Sequence, residues 1–295
     1  MILFDQSMRM LKGNTHTHTT MSDGKLTPEE AARQYRQHGY DFIVQTDHWK
    51  HAPERVQDGL LVLQGTEFDV YSDNQPTAHI VAVGVTEEIL EKGLSKQSDA
   101  QDVVDAINEN GGAAILAHPA WSMNTPQFMA SLKGIIGAEI YNTCSGTPWN
   151  AERADSSSLL DVTSAQGTLL PLVAADDSHF YNGEQCRSYI MLQADSCDSA
   201  SILAALKSGR FYASQGPRFE YVEVTDDRLI IRCSPVERIT FYSNLPWVTG
   251  RNRISSGIQE AEYVFEKQRG ESYVRCEIVD ANGAKAWLSP IRISR

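Results

Sequence analysis

Short apolar runs recur along the first two thirds of the chain, and each meets a polar cluster at one end. Met8–Gly13 leads to Asn14-Thr15-His16-Thr17-His18, Phe42–Gln45 to Thr46-Asp47-His48, and Leu60–Leu63 to Gln64-Gly65-Thr66-Glu67. Ile80–Val85 follows Ala78-His79, and Ala113–Ala117 precedes His118-Pro119. Ile135–Tyr141 carries Glu139 and runs into Asn142, while Leu169–Ala175 precedes Asp176-Asp177-Ser178-His179. Apolar runs of this length bounded by turn formers read as buried strands. Between them lie segments of helical character. Thr27 as N-cap, Pro28 at the first helical position and Glu30 closing a capping box predict a helix running to His38-Gly39. Ser98–Asn110 places Val103, Val104 and Ile107 on one face; Pro126–Leu132, Ala151–Gln166 and Ser199–Lys207 are the further helices expected. Strand–helix alternation of this kind predicts an α/β sheet or barrel.

Two features break the alternation. Leu60–Tyr71 and Thr77–Val85 are separated only by Ser72-Asp73-Asn74-Gln75-Pro76, which predicts a hairpin. A centre near Asp73 would set Glu67 opposite His79. After Arg210–Pro217 the texture changes to short alternating segments: Tyr221–Thr225, Leu229–Cys233, Ile239–Tyr242, Ala261–Phe265, Tyr273–Val279 and Ala286–Ile293. They predict a small antiparallel β-sandwich of about 75 residues. The expected division is therefore 1–217 and 218–295.

Composition sharpens that division. The 295 residues are 41% hydrophobic, enough for a core, and carry a net charge of −12. Residues 1–217 hold 14 Lys+Arg against 27 Asp+Glu (net −13), and residues 218–295 hold 12 against 11 (net +1). All eight histidines lie in the acidic part. An acidic chain argues against a nucleic-acid polymer as partner, because phosphates recruit Lys and Arg. The five cysteines form no C-x-x-C pair and are odd in number, so reduced, mostly buried thiols are expected. The N-terminus lacks a signal-peptide pattern and no apolar run approaches membrane length, so the cytoplasm is the expected compartment and no membrane partner is expected.

The candidate chemistry lies where the strands meet polar residues. His16-x-His18 on a strand sends two imidazoles to one side. Asp23, His48, Glu67, His79, His118, Asp177 and His179 stand at or beside other strand ends, where ligands gather in α/β folds. Only His38 and His51 fall outside this set. Their joint occurrence predicts a polynuclear metal site. Imidazole and carboxylate donors suit zinc, manganese or iron, with no thiolate to favour zinc.

The motifs NTHTHTTMSDG, QTDHWKH, QGTEF, TAHIVAVGV, LAHPA and ADDSHF, in that order across residues 13–180, resemble the PHP (polymerase and histidinol phosphatase) family of metal-dependent phosphoesterases. GRFYASQGP followed by a β-domain is similar to PHP proteins related to the CehA/McbA metallohydrolases. The resemblance implies a distorted (β/α)7 barrel with a TIM-like plan and a trinuclear metal site holding two or three divalent ions. It implies His16, His18, Glu67 and Asp177 on a first ion, Glu67 bridging to a second held by His79 and His118, and Asp23, His48 and His179 on a third. Asp23 stands where some relatives have histidine. Asp177 is preferred to Asp176 because Asp177-Ser178-His179 fits the Asp-x-His pattern.

The implied activity is hydrolysis of a small phosphorylated substrate (a nucleotide, sugar phosphate or cyclic phosphate) by a metal-bridging hydroxide held by Glu67, His179 and Asp177. Amide, carbamate or ester hydrolysis of the CehA/McbA type is the alternative, and a non-catalytic, metal-stabilised binding module is the alternative of another class. Arg187, Lys50 and Asn142 are the expected substrate contacts, with Arg210 and Arg218 as weaker ones. Asp47, His51, Asp176, Tyr141, Asn142, His179 and a metal-bound water stay open as sources of the leaving-group proton, and Trp49, Trp121 and Trp149 as stacking surfaces. The β-domain has no readable site; capping the barrel, forming a homo-oligomer or binding a polymer are its expected alternatives.

Overall fold

The computed structural model describes residues 1–295 apart from Gln6, Asn74 and Arg295. Its N-terminal strands are β1 (Ile2–Phe4), β2 (Met10–Asn14), β3 (Phe42–Val44), β4 (Arg55–Gln57), β5 (Leu60–Leu63), β6 (Gly65–Val70), β7 (Ala78–Val83), β8 (Ala113–Leu116), β9 (Ile135–Asn142) and β10 (Leu172–Ala175). Next come β11 (Tyr189–Gln193), β12 (Phe211–Ser214), β13 (Phe219–Val224), β14 (Arg228–Ser243), β15 (Asn252–Val264), β16 (Tyr273–Val279), β17 (Lys285–Trp287) and β18 (Ile291–Arg292). The helices are α1 (Pro28–Gln37), α2 (Ala100–Glu109), α3 (Pro126–Ser131), α4 (Ser157–Ala165) and α5 (Ser199–Lys207). The Thr27–Glu30 capping box opens α1 as expected. Ala151–Ser156 stays outside α4 although a helix over 151–166 is predicted. Its backbone is captured by the neighbouring strand: Asn142 N donates to Ala154 O and Ser156 N to Ile140 O.

Two sheets form. One runs β1-β13-β14-β16-β17-β12-β11-β2-β3-β5-β4, with β15 on β14 and β18 on β16; the other runs β10-β9-β8-β7-β6. A mixed α/β fold is thus observed, but its ladders do not close into the barrel expected from the sequence. The two sheets meet at two seams, each marked by a single bridge: Thr17 to Ser178, and His48 to Glu67. The backbone leaves the extended conformation beside each bridge. Asp177 has φ 55° and Trp49 φ 54°, values that side-chain-bearing residues rarely adopt. The chain itself crosses between sheets where β5 passes into β6, and Gly65 allows it: a Cβ there would lie 2.6 Å from Val44 Cγ1 and 2.7 Å from the Ala82 carbonyl.

The hairpin of β6 and β7 is present with its register displaced. Asp69 faces His79 and Glu67 faces Val81, so the centre lies one residue beyond Asp73. That offset moves Glu67 and His79 from directly opposite to diagonal, yet keeps them on one face, because side chains alternate with period two.

The interior between the sheets is filled from both sides by residues such as Leu11, Phe42, Val44, Val81, Ile115 and Val173. The outer face of the second sheet packs Val103, Val104 and Ile107 of α2 and Leu160 of α4. The C-terminal strands are antiparallel around their own core, including Ile231, Phe241, Val274 and Ile278. They are not a detached sandwich: β17 pairs with β12 (Ala213 to Trp287), and β1 pairs with β13. Leu229–Cys233 and Ile239–Tyr242, expected as two strands, lie in the single long β14, whose register shifts between Arg232 and Val236 around Pro235.

Candidate metal centre

The seams carry the chemistry. Thr17, at the first bridge, stands between His16 and His18, and Ser178 between Asp177 and His179; the second bridge joins His48 to Glu67 directly. The start of β7 brings in His79 and the end of β8 leads to His118. Because β7 is antiparallel to its neighbours, its start rather than its end lies at this edge.

All nine sequence-derived ligand candidates come together there. They fall into three clusters whose donor atoms lie within 4.8 Å of one another: His16, His18, Glu67 and Asp177; Glu67, His79 and His118; His18, Asp23, His48 and His179. Glu67 divides its oxygens. Oε2 lies 3.1 Å from His16 Nε2 and 3.0 Å from His18 Nε2, while Oε1 lies 2.7 Å from His79 Nδ1 and 3.5 Å from His118 Nε2. Asp177 does likewise, with Oδ1 3.1 Å from both His16 Nε2 and His18 Nε2, and Oδ2 3.8 Å from His118 Nε2. Asp23 is the exposed member, at 3.5 Å from His179 Nε2 and 3.8 Å from His48 Nε2.

These contacts fit metal ligation better than ion pairing. His16 Nε2, His18 Nε2, His48 Nδ1 and Asp177 Oδ1 are buried without a hydrogen-bond partner, although oppositely charged atoms stand about as close as a hydrogen bond allows. Leaving such atoms unmatched costs several kcal/mol unless an ion satisfies them. Donors bound at about 2.0 Å around a tetrahedral ion stand about 3.3 Å apart, close to the spacing seen in the first cluster.

Surrounding side chains set the tautomers. Glu139 Oε1 receives His16 Nδ1–H at 2.8 Å, which leaves Nε2 as the ligand atom. His179 Nδ1 donates to the Asp177 carbonyl at 2.8 Å, and His118 Nδ1 lies 3.1 Å from Ser122 Oγ. Asp69 approaches His48 Nδ1 at 3.4 Å and is itself held by Trp49 Nε1 at 2.6 Å and Lys96 Nζ at 2.7 Å. Gly24 closes the loop bearing Asp23 against His18: a Cβ there would lie 2.5 Å from the His18 carbonyl. Two of the candidate ligands sit on unusual backbone, His118 at φ 27° and Asp177 at φ 55°, conformations that cost on the order of 1–3 kcal/mol each.

Packing carboxylates among imidazoles shifts both. Burial disfavours an imidazolium, but Glu67, Asp69 and Asp23 outweigh it at His48 and push its pKa up to about 9. At His179 burial is likewise overcome, by Asp177 and Asp23 chiefly, and the pKa is pushed up to about 12. Burial opposes ionisation of Glu67 and Asp177 too, yet the facing imidazoles hold both carboxyls well below the usual range.

Several expected site residues lie elsewhere. Asn142 is fully buried: its Nδ2 donates to Glu139 Oε2 at 2.7 Å and Asp177 Oδ2 at 3.2 Å, and its Oδ1 accepts from Ser145 N at 3.0 Å. It braces two carboxylates and has nothing left for a substrate. Arg187 is exposed, with its guanidinium 5.6 Å from the Trp149 ring centroid, and Lys50 is exposed on its loop. Neither lines the cavity above the clusters. Asp47 accepts from the Thr19 and Ser22 backbone N–H groups and from Gln45 Nε2, which fixes the Asp23 loop. Asp176 accepts from Cys186 N, Arg187 N and Ser188 N; burial raises its pKa to about 7 despite these bonds. His51 Nε2 lies 3.0 Å from the Val85 carbonyl. Of the proton-donor candidates, His179 alone lines the cavity.

The cavity measures about 220 Å³. Besides the ligands, its wall is Trp121, Cys144, Ser145, Asn150 and Phe180, of which Trp121 alone is suggested by the sequence. Trp121 stands edge-on to His118 at 4.9 Å and His79 at 5.5 Å. Cys144 Sγ lies 3.9 Å from His179 Nδ1, and burial raises its pKa, so the thiol stays neutral. No local pattern distinguishes these positions in the sequence; the turn after β9 delivers three of them.

By sequence, no family model and no curated protein matches the chain. Solved structures do. An amidohydrolase from Chromobacterium violaceum with bound sulfate and no metal covers 58% of this chain and 89% of its own, at 16% identity and TM-score 0.43, an overlap too loose to bear on the reading. A two-domain protein from Bacteroides vulgatus containing a predicted PHP-like metal-dependent phosphoesterase covers 97% of this chain and 96% of its own, at 16% identity and TM-score 0.56. Along nearly its whole length, then, the chain has the fold of a two-domain PHP-like protein, with three clusters of side chains able to hold metal ions set into its seams.

Proposed function

We propose that this protein is a metal-dependent hydrolase of small phosphate esters, working with two or three zinc, manganese or iron ions. The observation that carries the proposal is the division of Glu67 between two clusters, which suits it to bridge neighbouring ions at the spacing of two-metal sites, about 3.5–4 Å. Ions held there would supply Lewis acidity and a water of lowered pKa, which is the chemistry phosphate-ester hydrolysis needs. His16 is presented through Nε2 by Glu139, and Asp177 is braced by Asn142. Seven of the nine candidate ligands, all but His16 and His18, line the cavity, so an ester bound in it would have its phosphorus beside them. His179 Nε2 faces the same space: with two ions bound it would be free to manage a proton on the leaving oxygen, and with three it would be a ligand instead. Within this reading the two sheets are a seven-stranded barrel opened along its two ligand-bearing seams, supported by the single bridge across each.

The test is release of inorganic phosphate by the purified protein, loaded with Zn²⁺, Mn²⁺ or Fe²⁺ and with metal content measured, from a panel of phosphomonoesters and diesters. Turnover of at least one member that is abolished by chelation is expected. Silence across the panel with full metal content, alongside turnover of carbamates or carboxylic esters, would overturn it.

A further inference from the structure

Opposite the clusters, the cavity wall has a chemical character of its own. Among the described residues it contains no lysine or arginine; Trp121, Phe180 and Cys144 supply its surface, with Ser145 and Asn150 between them. The polar groups on this wall are used inside the protein. Trp121 Nε1 donates to Asn150 Oδ1 at 3.2 Å, Asn150 Nδ2 to the Cys144 carbonyl at 2.9 Å, and Ser145 Oγ to Asn142 Oδ1 at 2.9 Å. The indole is held at both ends, by Asn150 on its N–H and by the rings of His79 and His118 beside it. Phe180 is carried on a pinned backbone, because buried Glu184 accepts from the successive N–H groups of His179, Phe180, Tyr181 and Asn182. The charged side chain at the exposed rim is Asp23, a carboxylate.

A ligand spanning this cavity thus meets cation-binding groups on one side and a fixed, uncharged, partly aromatic wall on the other. A second anionic group reaching past the clusters would meet this uncharged wall with no lysine or arginine to pair with and would lose its hydration without compensation. A flat uncharged group would instead cover the Trp121 and Phe180 rings without displacing any hydrogen bond. Resting on the phosphate-ester reading, we infer that the substrate carries one anionic head and an uncharged, planar leaving group packed on Trp121, and that the site rejects bisphosphates and other esters bearing a second anion.

Binding separates this inference from the catalytic reading. Isothermal titration of the metal-loaded full chain compares methylphosphonate, phenylphosphonate and 4-carboxyphenylphosphonate. Phenylphosphonate is expected to bind at least about tenfold tighter than methylphosphonate, and the added carboxylate to remove at least that gain. Trp121→Ala, at wild-type metal content, is expected to weaken phenylphosphonate far more than methylphosphonate, with Trp121→Phe restoring most of the difference. Equal affinity for the phenyl and methyl compounds, undiminished affinity for the carboxylated one, or an equal loss for all three in Trp121→Ala would each overturn the inference while leaving the phosphate-ester reading standing. Failure of all three to bind would overturn both.

Discussion

Buried charge is handled in two ways in this molecule. In the C-terminal strands each buried carboxylate is met by a donor: Glu277 by Trp287 Nε1 at 3.0 Å and Arg238 Nη2 at 3.2 Å, Glu271 by Tyr263 OH at 2.6 Å and Glu266 N at 2.8 Å. Arg275, almost wholly enclosed, makes a two-pronged pair with Asp161 of α4, both contacts at 2.6 Å, and lies over the Tyr242 ring. At the seams, by contrast, equally buried groups approach within about the same distances but leave His16 Nε2, His18 Nε2 and Asp177 Oδ1 without hydrogen bonds. A carboxylate met by its donors holds elements together; imidazole and carboxylate atoms that converge without hydrogen bonds are arranged around something else, whereas the unmatched Arg275 Nη1 belongs to a guanidinium already paired through Nε and Nη2. Both regions bury carboxylates, Glu271 and Glu277 in one and Glu67 and Asp177 in the other, but only the seams set histidines against them, and in a geometry that leaves donor atoms converging.

The largest effect expected from breaking this contrast is at Glu67. Glu67→Gln removes the carboxylate shared between two clusters, so bound metal should fall by at least one equivalent and phosphate release by on the order of 10³-fold or more. Metal analysis and turnover measure this; full metal content in the variant would show that Glu67 is not a ligand. Arg275→Ala should act in the opposite manner. It strands Asp161 beneath the C-terminal strands and should cost about 3–5 kcal/mol of stability, read by denaturant unfolding, while the folded fraction keeps its metal content.

A third difference is in pH dependence. In the metal-free protein the His48 pKa is raised from 6.5 to about 9. A raised imidazole contributes stability that is fully present below its unfolded pKa and is lost as pH rises through the folded one. Metal-free protein should therefore lose on the order of 3 kcal/mol between pH 6.5 and 9 from this group. Metal loading should tighten over the same interval, because each ion displaces protons from the imidazoles. Thermal unfolding with and without chelator checks the opposite signs; parallel pH profiles would contradict them. The smallest effect is expected at Glu139→Gln, which keeps the hydrogen bond to His16 but removes its charge. A loss of about 10–100-fold in metal affinity is expected, measured by chelator competition.

Much of the site could be read from residue order. His16-x-His18, Asp177-x-His179 and the single histidines beside strand ends needed only strand periodicity to be placed on one edge, and the preference for Asp177 over Asp176 followed a motif. In the structure Asp177 faces the cluster while Asp176 clamps the following loop. The substrate side was another matter. Arg187 and Lys50 follow ligand motifs closely in sequence, but exposed loops carry them away from the cavity. Asn142 is beside the site and yet spent within it. Cys144, Ser145, Asn150 and Phe180 line the cavity through the path of two loops, and no periodic pattern marks a loop's path.

The chain's sequence by itself determined most of the strands and helices, the acidic and histidine-bearing character of the first part, and the nine side chains able to hold metal, because these depend on local period and residue chemistry. Only the tertiary structure decided that the sheets part at two seams, that Glu67 and His79 meet diagonally, that the C-terminal strands join the first sheet, and that the cavity's far wall is uncharged. Those features depend on which backbone groups find partners across long stretches of chain, and that competition is resolved only when the whole molecule packs.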